Sequence, residues 1–381
     1  MQKSETKYHL IDNAQALAQL ILELDSASRI GIDTEGDSLH HYFEKVCLIQ
    51  LSFQGNHYII DPLSGISLSG LCEVLSQKEL IFQGADYDLR MMKKSFGFRP
   101  ARPIFDTMIA SQVLGYEKIG LAALAEKFCG VLMPKSGQKA DWSKRPLSEG
   151  LLTYASDDTK YLEVIADAQM KHLKELNRVD WHQECCEKAV KSSGAPEKES
   201  KEDAWRIKGS SKADPNSLVF IYELWKWRDE EARKKDRPPF MIIRNEDIIE
   251  LSEWRAKNPQ APLGQGPSFL KRFSGDYLAG LQKAVKDAEN TPAAQRPQPR
   301  SRTEWTEERP DLTKLDPLLA ACKTIAGQLK IESSFLASRG MLTAVVQQKP
   351  DSIEKAMELC GMMRWQAELL MPSIKLVLSK R

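Results

Sequence analysis

Residues 29–61, RIGIDTEGDSLHHYFEKVCLIQLSFQGNHYIID, decide how the chain must fold. Three short runs rich in β-branched and aliphatic residues, Ile30-Gly31-Ile32, Val46 to Phe53 and Tyr58-Ile59-Ile60, are separated by polar turns that include Gly55-Asn56. Such spacing predicts consecutive strands joined as an antiparallel meander. Downstream, Leu80-Ile81-Phe82 predicts a short buried strand that leads through Gly84 into a helix over Leu89–Phe96. Ile104-Phe105 precedes a second helix over Thr107–Leu114, and further helices are predicted around Leu121–Cys129 and from Ser148 through about Asn177. Strands first and helices after them predict a layered α/β domain.

Beyond that domain the pattern changes twice. Between about Lys191 and Asp203 the chain turns to Ser, Gly, Pro, Lys and Glu, the composition of a linker. Asp214-Pro215, an N-cap followed by proline at the first helical position, opens a helix through Trp225 to about Lys235, which Arg237-Pro238-Pro239 stops. A second stretch rich in Pro, Arg, Thr and Gln precedes a last helical segment from about Leu315. The expected division is therefore an α/β domain over 1–190, a linker over 191–211, a helical domain over 212–288, a linker over 289–313 and a second helical domain over 314–381. With 381 residues, two or three cores are the natural expectation.

Composition narrows the function classes. At 42% hydrophobic and 28% charged residues this is an ordinary globular chain, without a stretch of about 18 apolar residues and with a polar, mixed-charge start, so a cytosolic location and no membrane contact are expected. Seven cysteines without a Cys-x-x-Cys pair indicate reduced core thiols rather than a disulfide framework or zinc ribbon. The net charge of +1 conceals a split: residues 1–190 hold 21 Lys and Arg against 26 Asp and Glu, the remainder 33 against 27. An acidic half beside a basic one suits a site where carboxylates await cations next to a region that holds nucleic acid.

The carboxylates that could do this are spaced for it. In Asp33-Thr34-Glu35, at the end of the first predicted strand, the two-residue period puts both acids on one face of the sheet, where they can share a cation. Tyr154 and Asp158 are four apart on a predicted helix, so phenol and carboxylate project from the same side. Asp88, at a strand-to-helix junction, completes the group. Hard divalent ions prefer such oxygen ligands, and phosphodiester hydrolysis needs them because negative charge develops on attacking, equatorial and leaving oxygens together.

The ordered set Asp33-x-Glu35, Asp88, Tyr154-x-x-x-Asp158 resembles the signature of the DEDD exonucleases, in the branch that carries tyrosine in the third motif. Val46 to Leu51, Phe105-Asp106-Thr107 and Asp141 to Leu147 are similar to landmarks of ribonuclease D within that branch, and the likeness runs from about Tyr8 to Trp181. Trp205 to Gly209 and Leu224 to Arg228 resemble the helicase-and-RNase-D C-terminal (HRDC) domain, and the final segment resembles a degenerate second copy.

The resemblance implies a ribonuclease H-like α/β exonuclease domain with a mixed sheet, followed by two small all-α HRDC-type domains. It implies a 3′-to-5′ exoribonuclease acting on structured, tRNA-like RNA with two divalent cations, Mg²⁺ or Mn²⁺, and no obligate protein partner. It further implies that Asp33 bridges the ions, that Glu35 and Asp158 hold the one that activates water, that Asp88 holds the other mainly through water, and that Tyr154 orients the nucleophilic water. One departure stands out: Gln83-Gly84 occupies the place where relatives commonly have His followed by Asn or Ala. A DNA exonuclease of the same chemistry and a nucleic-acid scaffold with a vestigial site are the rival readings.

Around the site, Lys135, Lys139, Lys144 and Arg145 are candidates to steer phosphates, with a solvated loop as the alternative. Trp142 is a candidate to stack a terminal base or, alternatively, to pack against the adjacent helix. His40 and His41 lack a third soft ligand and read as loop residues near the substrate path. In the helical half, Tyr222, Trp225 and Trp227 interleaved with Lys226, Arg228, Arg233, Lys234 and Lys235 make either a helix core with a charged face or an RNA-holding surface.

Overall fold

The computed structural model describes residues 8–134, 137–194, 203–299 and 312–379. These fall into two compact units, one made of 8–36, 45–194 and 312–379, the other of 37–44 and 203–299.

The first unit is built on a six-stranded mixed sheet of β1 (His9–Ile11), β2 (Arg29–Gly36), β3 (Val46–Phe53), β4 (Asn56–Ile60), β5 (Glu79–Phe82) and β6 (Phe105–Asp106), in the order β1-β4-β3-β2-β5-β6. The meander β2-β3-β4 is antiparallel, whereas β1 joins β4, and β5 joins β2 and β6, in parallel. All eight residues of β3 are buried, because this central strand is covered on both faces. On one face Ile30, Ile32, Ile49 and Leu51 pack with helices α1 (Ala14–Leu24), α2 (Ser69–Ser76) and α3 (Asp86–Phe96). Neither β1 nor α1 was anticipated in the sequence.

The other face carries α6 (Glu149–Lys160) and α7 (Leu162–Glu175), with α4 (Thr107–Leu114), α5 (Leu121–Cys129) and α8 (Val179–Ser193) completing the layer. The helix expected from Ser148 to about Asn177 is two helices, parted at Tyr161. At that junction the backbone comes so close to β2 that a Cβ on Gly31 would lie 3.1 Å from the Thr159 carbonyl oxygen and 3.3 Å from Leu162 Cβ, a contact tight enough that any larger residue would push the helix away.

The C-terminal helices α13 (Leu315–Leu329), α14 (Ser333–Leu336), α15 (Arg339–Gln348), α16 (Ile353–Cys360) and α17 (Arg364–Ser379) belong to this same unit. Leu315, Leu318, Cys322, Leu342 and Trp365 share one buried cluster with Phe105, Ala110, Val113, Leu162 and Cys185. Trp181 stacks on Trp365 with ring centroids 4.7 Å apart, and Arg178 donates to the carbonyls of Val113 and Leu329. Residues 314–379, expected as a separate domain, thus complete the core of the first, and a boundary at 190 would cut through α8, which runs to Ser193. Linker composition identifies a break in helical pattern but not which faces close on each other afterwards.

The second unit contains α9 (Leu218–Lys235), α10 (Pro239–Ile242), α11 (Asn245–Lys257) and α12 (Gly275–Asn290) around Ile221, Leu224, Ile248, Leu251 and Leu281. Trp227 and Arg228 are core residues here, Arg228 donating to Asn245 Oδ1 and to the Ile243 carbonyl. Loop 37–44 belongs to this unit: Tyr42 bonds Asp229, while His41 Nδ1 meets Asp236 at 2.7 Å. Of the expected linkers, parts of 191–211 and 289–313 lie outside the described residues.

The two helical segments match step for step. Each has a long helix closed by a non-glycine residue in the left-handed region (Asp236, φ 47°; Lys330, φ 56°), then a four-residue helix, then an extended buried residue (Ile243, φ −154°; Ala337, φ −155°) before the next helix. Buried Ile221, Leu224 and Ala232 of α9 correspond in position to Leu315, Leu318 and Ala326 of α13.

Candidate active site

Asp33 and Glu35 leave β2 on the face that α6 covers. On α6, N-capped by Ser148 through the Leu151 amide, Tyr154 and Asp158 lie one turn apart. One carboxylate oxygen each from Asp33, Glu35 and Asp158 lies within 4.8 Å of the others. Asp88 sits in the first turn of α3, and its Oδ1 accepts hydrogen bonds from the Thr34 amide (3.0 Å) and the Thr34 hydroxyl (2.6 Å), so it is fastened to the residue between the two strand acids.

Removal from water and mutual repulsion dominate the electrostatics. Burial first, then Asp158 and Asp88, push the Glu35 carboxyl up to about 9. Burial above all raises both Asp88 and Asp158 to about 7, although hydrogen bonds from Thr34 and Tyr154, respectively, oppose it. Asp33 is held well above the usual carboxylate range by burial and by Asp88, Asp158 and Glu35. A cluster of acids that raise one another's pKa calls for positive charge, and an all-oxygen donor set of this kind suits a hard divalent cation. The residues present therefore fit the ions that the family resemblance implies.

Tyr154 is also held far above its ordinary value, by burial and then by Asp158, Glu35 and Asp33, so it stays a phenol that donates and accepts hydrogen bonds. Its ring is closely packed. Trp142 lies 6.1 Å away centroid to centroid, and a Cβ on Gly137 (φ +130°) would come within 2.6–2.9 Å of the ring.

The residues expected to contact substrate fare differently. Lys135 lies outside the described residues. Trp142, only 1% exposed, packs with Cys47, Leu48, Tyr154 and Ala155. It has no open face for a base, and of the two readings packing is the one observed. Arg145 makes two hydrogen bonds to Asp61 (2.6 and 2.7 Å) and donates to the carbonyls of Cys47, Trp142 and Lys144. Those bonds occupy its guanidinium in tying the loop to the sheet. Lys139 and Lys144 are exposed, Lys144 Nζ lying 3.6 Å from Asp141.

Asp106 was quoted only as a landmark, yet it organises this end of the sheet. It is 1% exposed and accepts four backbone hydrogen bonds, from Gly84, Ala85, Met108 and Ile109. It thereby caps α4 and braces the turn from which α3 and Asp88 start. The sequence signal was available in its N-cap position before a helix. The Gln83-Gly84 departure is absorbed locally: Gln83 donates to the Ile119 carbonyl at 2.8 Å and accepts from the Thr107 hydroxyl, and Gly84 takes φ +83°.

Comparison with known proteins follows the same lines. A family model described as "3′-5′ exonuclease" matches residues 8–174, and an HRDC domain model matches residues 217–263. Ribonuclease D of Xanthomonas oryzae pv. oryzae is 30% identical over 283 residues, covering 72% of this chain and 77% of that protein. Ribonuclease D of Acidiphilium cryptum is 29% identical over 76% of each chain. Among solved structures, that of Escherichia coli RNase D, "an exoribonuclease involved in structured RNA processing", superposes with a TM-score of 0.71 at 23% identity over 98% of both chains, a likeness of fold.

Proposed function

This chain belongs to the ribonuclease D family and is a 3′-to-5′ exoribonuclease, and on that premise we propose that it trims structured, tRNA-like RNA in the cytoplasm with two divalent cations, Mg²⁺ or Mn²⁺. The observation that carries the metal assignment is the meeting of Asp33, Glu35 and Asp158 oxygens within 4.8 Å, drawn from a strand and a helix more than a hundred residues apart. Asp33, Glu35, Asp88 and Asp158 are the ligands in this reading. When bound, the ions polarise the scissile phosphate and acidify the attacking water. Tyr154, too weak an acid to serve as a base at neutral pH, orients that water by hydrogen bonding while Gly137 and Trp142 hold its ring.

The helical unit supplies the grip on RNA. Around a hollow of about 360 Å³, Arg237, Arg244 and Arg272 surround the exposed side chains of Phe240 and Met241. The buried Asp247 carboxylate pairs with both Arg244 and Arg272 and presents them as a fixed fork. That combination of cations and an exposed aromatic suits phosphates and unstacked bases. The C-terminal segment is, in the same reading, a degenerate second HRDC-type copy, supported by the matched backbone of the two helical segments. Oligonucleotides of RNA and DNA labelled at the 3′ or 5′ end, with Mn²⁺ or EDTA, test the proposal. Stepwise loss of 3′ nucleotides from RNA that requires the metal is expected. Equal trimming of DNA or metal-independent cleavage would overturn it.

A further inference from the structure

Gln50 is completely buried in the middle of β3, and neither its amide nitrogen nor its carbonyl oxygen has a hydrogen-bond partner among the described residues. This is costly, since a buried polar group left unpaired destabilises a fold by about 1–3 kcal/mol, and such groups are rare in native cores. An apolar side chain of the same size would serve the strand better.

Its place in the sheet explains what the amide is for. In the antiparallel register Gln50 lies directly opposite Asp33, so the two side chains share a face of the sheet. Two residues earlier on that face, Leu48 packs with Tyr154 and Ala155. Two residues later, the Ser52 and Thr159 hydroxyls are 2.6 Å apart. Gln50 therefore sits beneath the turn of α6 that carries Asp158 and across from the acid assigned to both ions.

Resting on the metal-site reading above, we propose that Gln50 is a positioning residue: its amide finds its partner in the loaded site, donating to the Asp33 carboxylate and holding it in the orientation that binds cations. Carboxylates that ligate metals depend on such hydrogen bonds, whose loss weakens metal affinity about 10- to 100-fold.

The test uses the full chain with Mn²⁺ alone as probe, calorimetric titration giving affinity and thermal unfolding in EDTA giving stability. Gln50→Leu and Gln50→Met should unfold in EDTA at or above the wild-type temperature, because they remove an unpaired buried amide, while their Mn²⁺ dissociation constants rise about 10- to 100-fold. A structural role predicts the opposite pattern. Wild-type Mn²⁺ affinity in a folded variant would overturn the proposal, and so would a melting temperature several degrees lower in both. Asp33→Asn separates the premise from the inference: if that variant binds Mn²⁺ as tightly as wild type, the metal-site reading itself fails and takes this one with it.

Discussion

Without cations, the acidic cluster should make this protein less stable as pH rises through the neutral range. Glu35 goes from an ordinary value of 4.5 to about 9, Asp88 and Asp158 from 3.8 to about 7, and Asp33 moves in the same direction. Groups raised on folding hold more protons in the native than in the unfolded state between those limits. Their contribution is complete below about pH 4 and is lost as pH climbs through 7 and 9. One such carboxyl changes stability by about 1.4 kcal/mol per pH unit, so Glu35 alone removes about 3 kcal/mol between pH 5 and pH 7. For a unit of this size that is roughly 5–10 °C in melting temperature. Cations bind the deprotonated cluster and should cancel the loss, adding about 3 kcal/mol at a hundredfold excess over the dissociation constant. Melting curves from pH 5 to pH 8 in EDTA and in Mn²⁺ should therefore diverge as pH rises, and Glu35→Gln should flatten the EDTA curve. If the increment from Mn²⁺ stays constant across that range, or Glu35→Gln leaves the EDTA slope unchanged, the cluster is not an electrostatically frustrated cation site.

Four further outcomes follow from the same geometry. Asp33→Asn and Asp158→Asn should each abolish exonuclease activity while unfolding in EDTA no earlier than wild type, because an amide is a poor ligand yet relieves the repulsion; near-normal turnover by either sinks the ligand assignment. Tyr154→Phe should slow turnover about 10²- to 10⁴-fold with Mn²⁺ affinity barely changed, as calorimetry can check; loss of metal binding would mean that the phenol is a ligand. Deleting residues 314–381 should destabilise the exonuclease unit and expose Trp181, which now stacks on Trp365; an unchanged melting temperature and unshifted tryptophan fluorescence would show that the C-terminal helices are dispensable to that core. Charge reversal at Arg237, Arg244 and Arg272 should weaken binding to long folded RNA most at low salt and leave cleavage of short oligonucleotides unchanged; salt-independent binding equal to wild type argues for a protein partner at that surface.

Local pattern alone was enough for the meander and for which candidate side chains share a face. Alternation along residues 29–61 encodes which side chains share a face, and a spacing of four on a helix encodes that Tyr154 and Asp158 project together, since these periods are properties of the backbone. The helix boundaries at Phe96, Leu114 and Cys129 were likewise legible, each followed by a glycine in the left-handed region. What only the tertiary structure decided is how faces distant in sequence close on one another. In sequence Trp142 and Arg145 are each open to a structural or a substrate-binding reading, but the fold brings Asp61 and the Cys47 carbonyl to Arg145 and puts the Trp142 indole beside Tyr154. The C-terminal helices read as a domain apart, yet a Cβ on Gly115 would lie 1.8 Å from the Lys330 carbonyl oxygen, a closeness that linker composition cannot announce. The unpartnered amide of Gln50 reads in the sequence as one polar residue in an apolar strand. Only the register opposite Asp33 shows which neighbour it faces, because burial and partnership belong to pairs of residues, whereas periodicity belongs to one segment at a time.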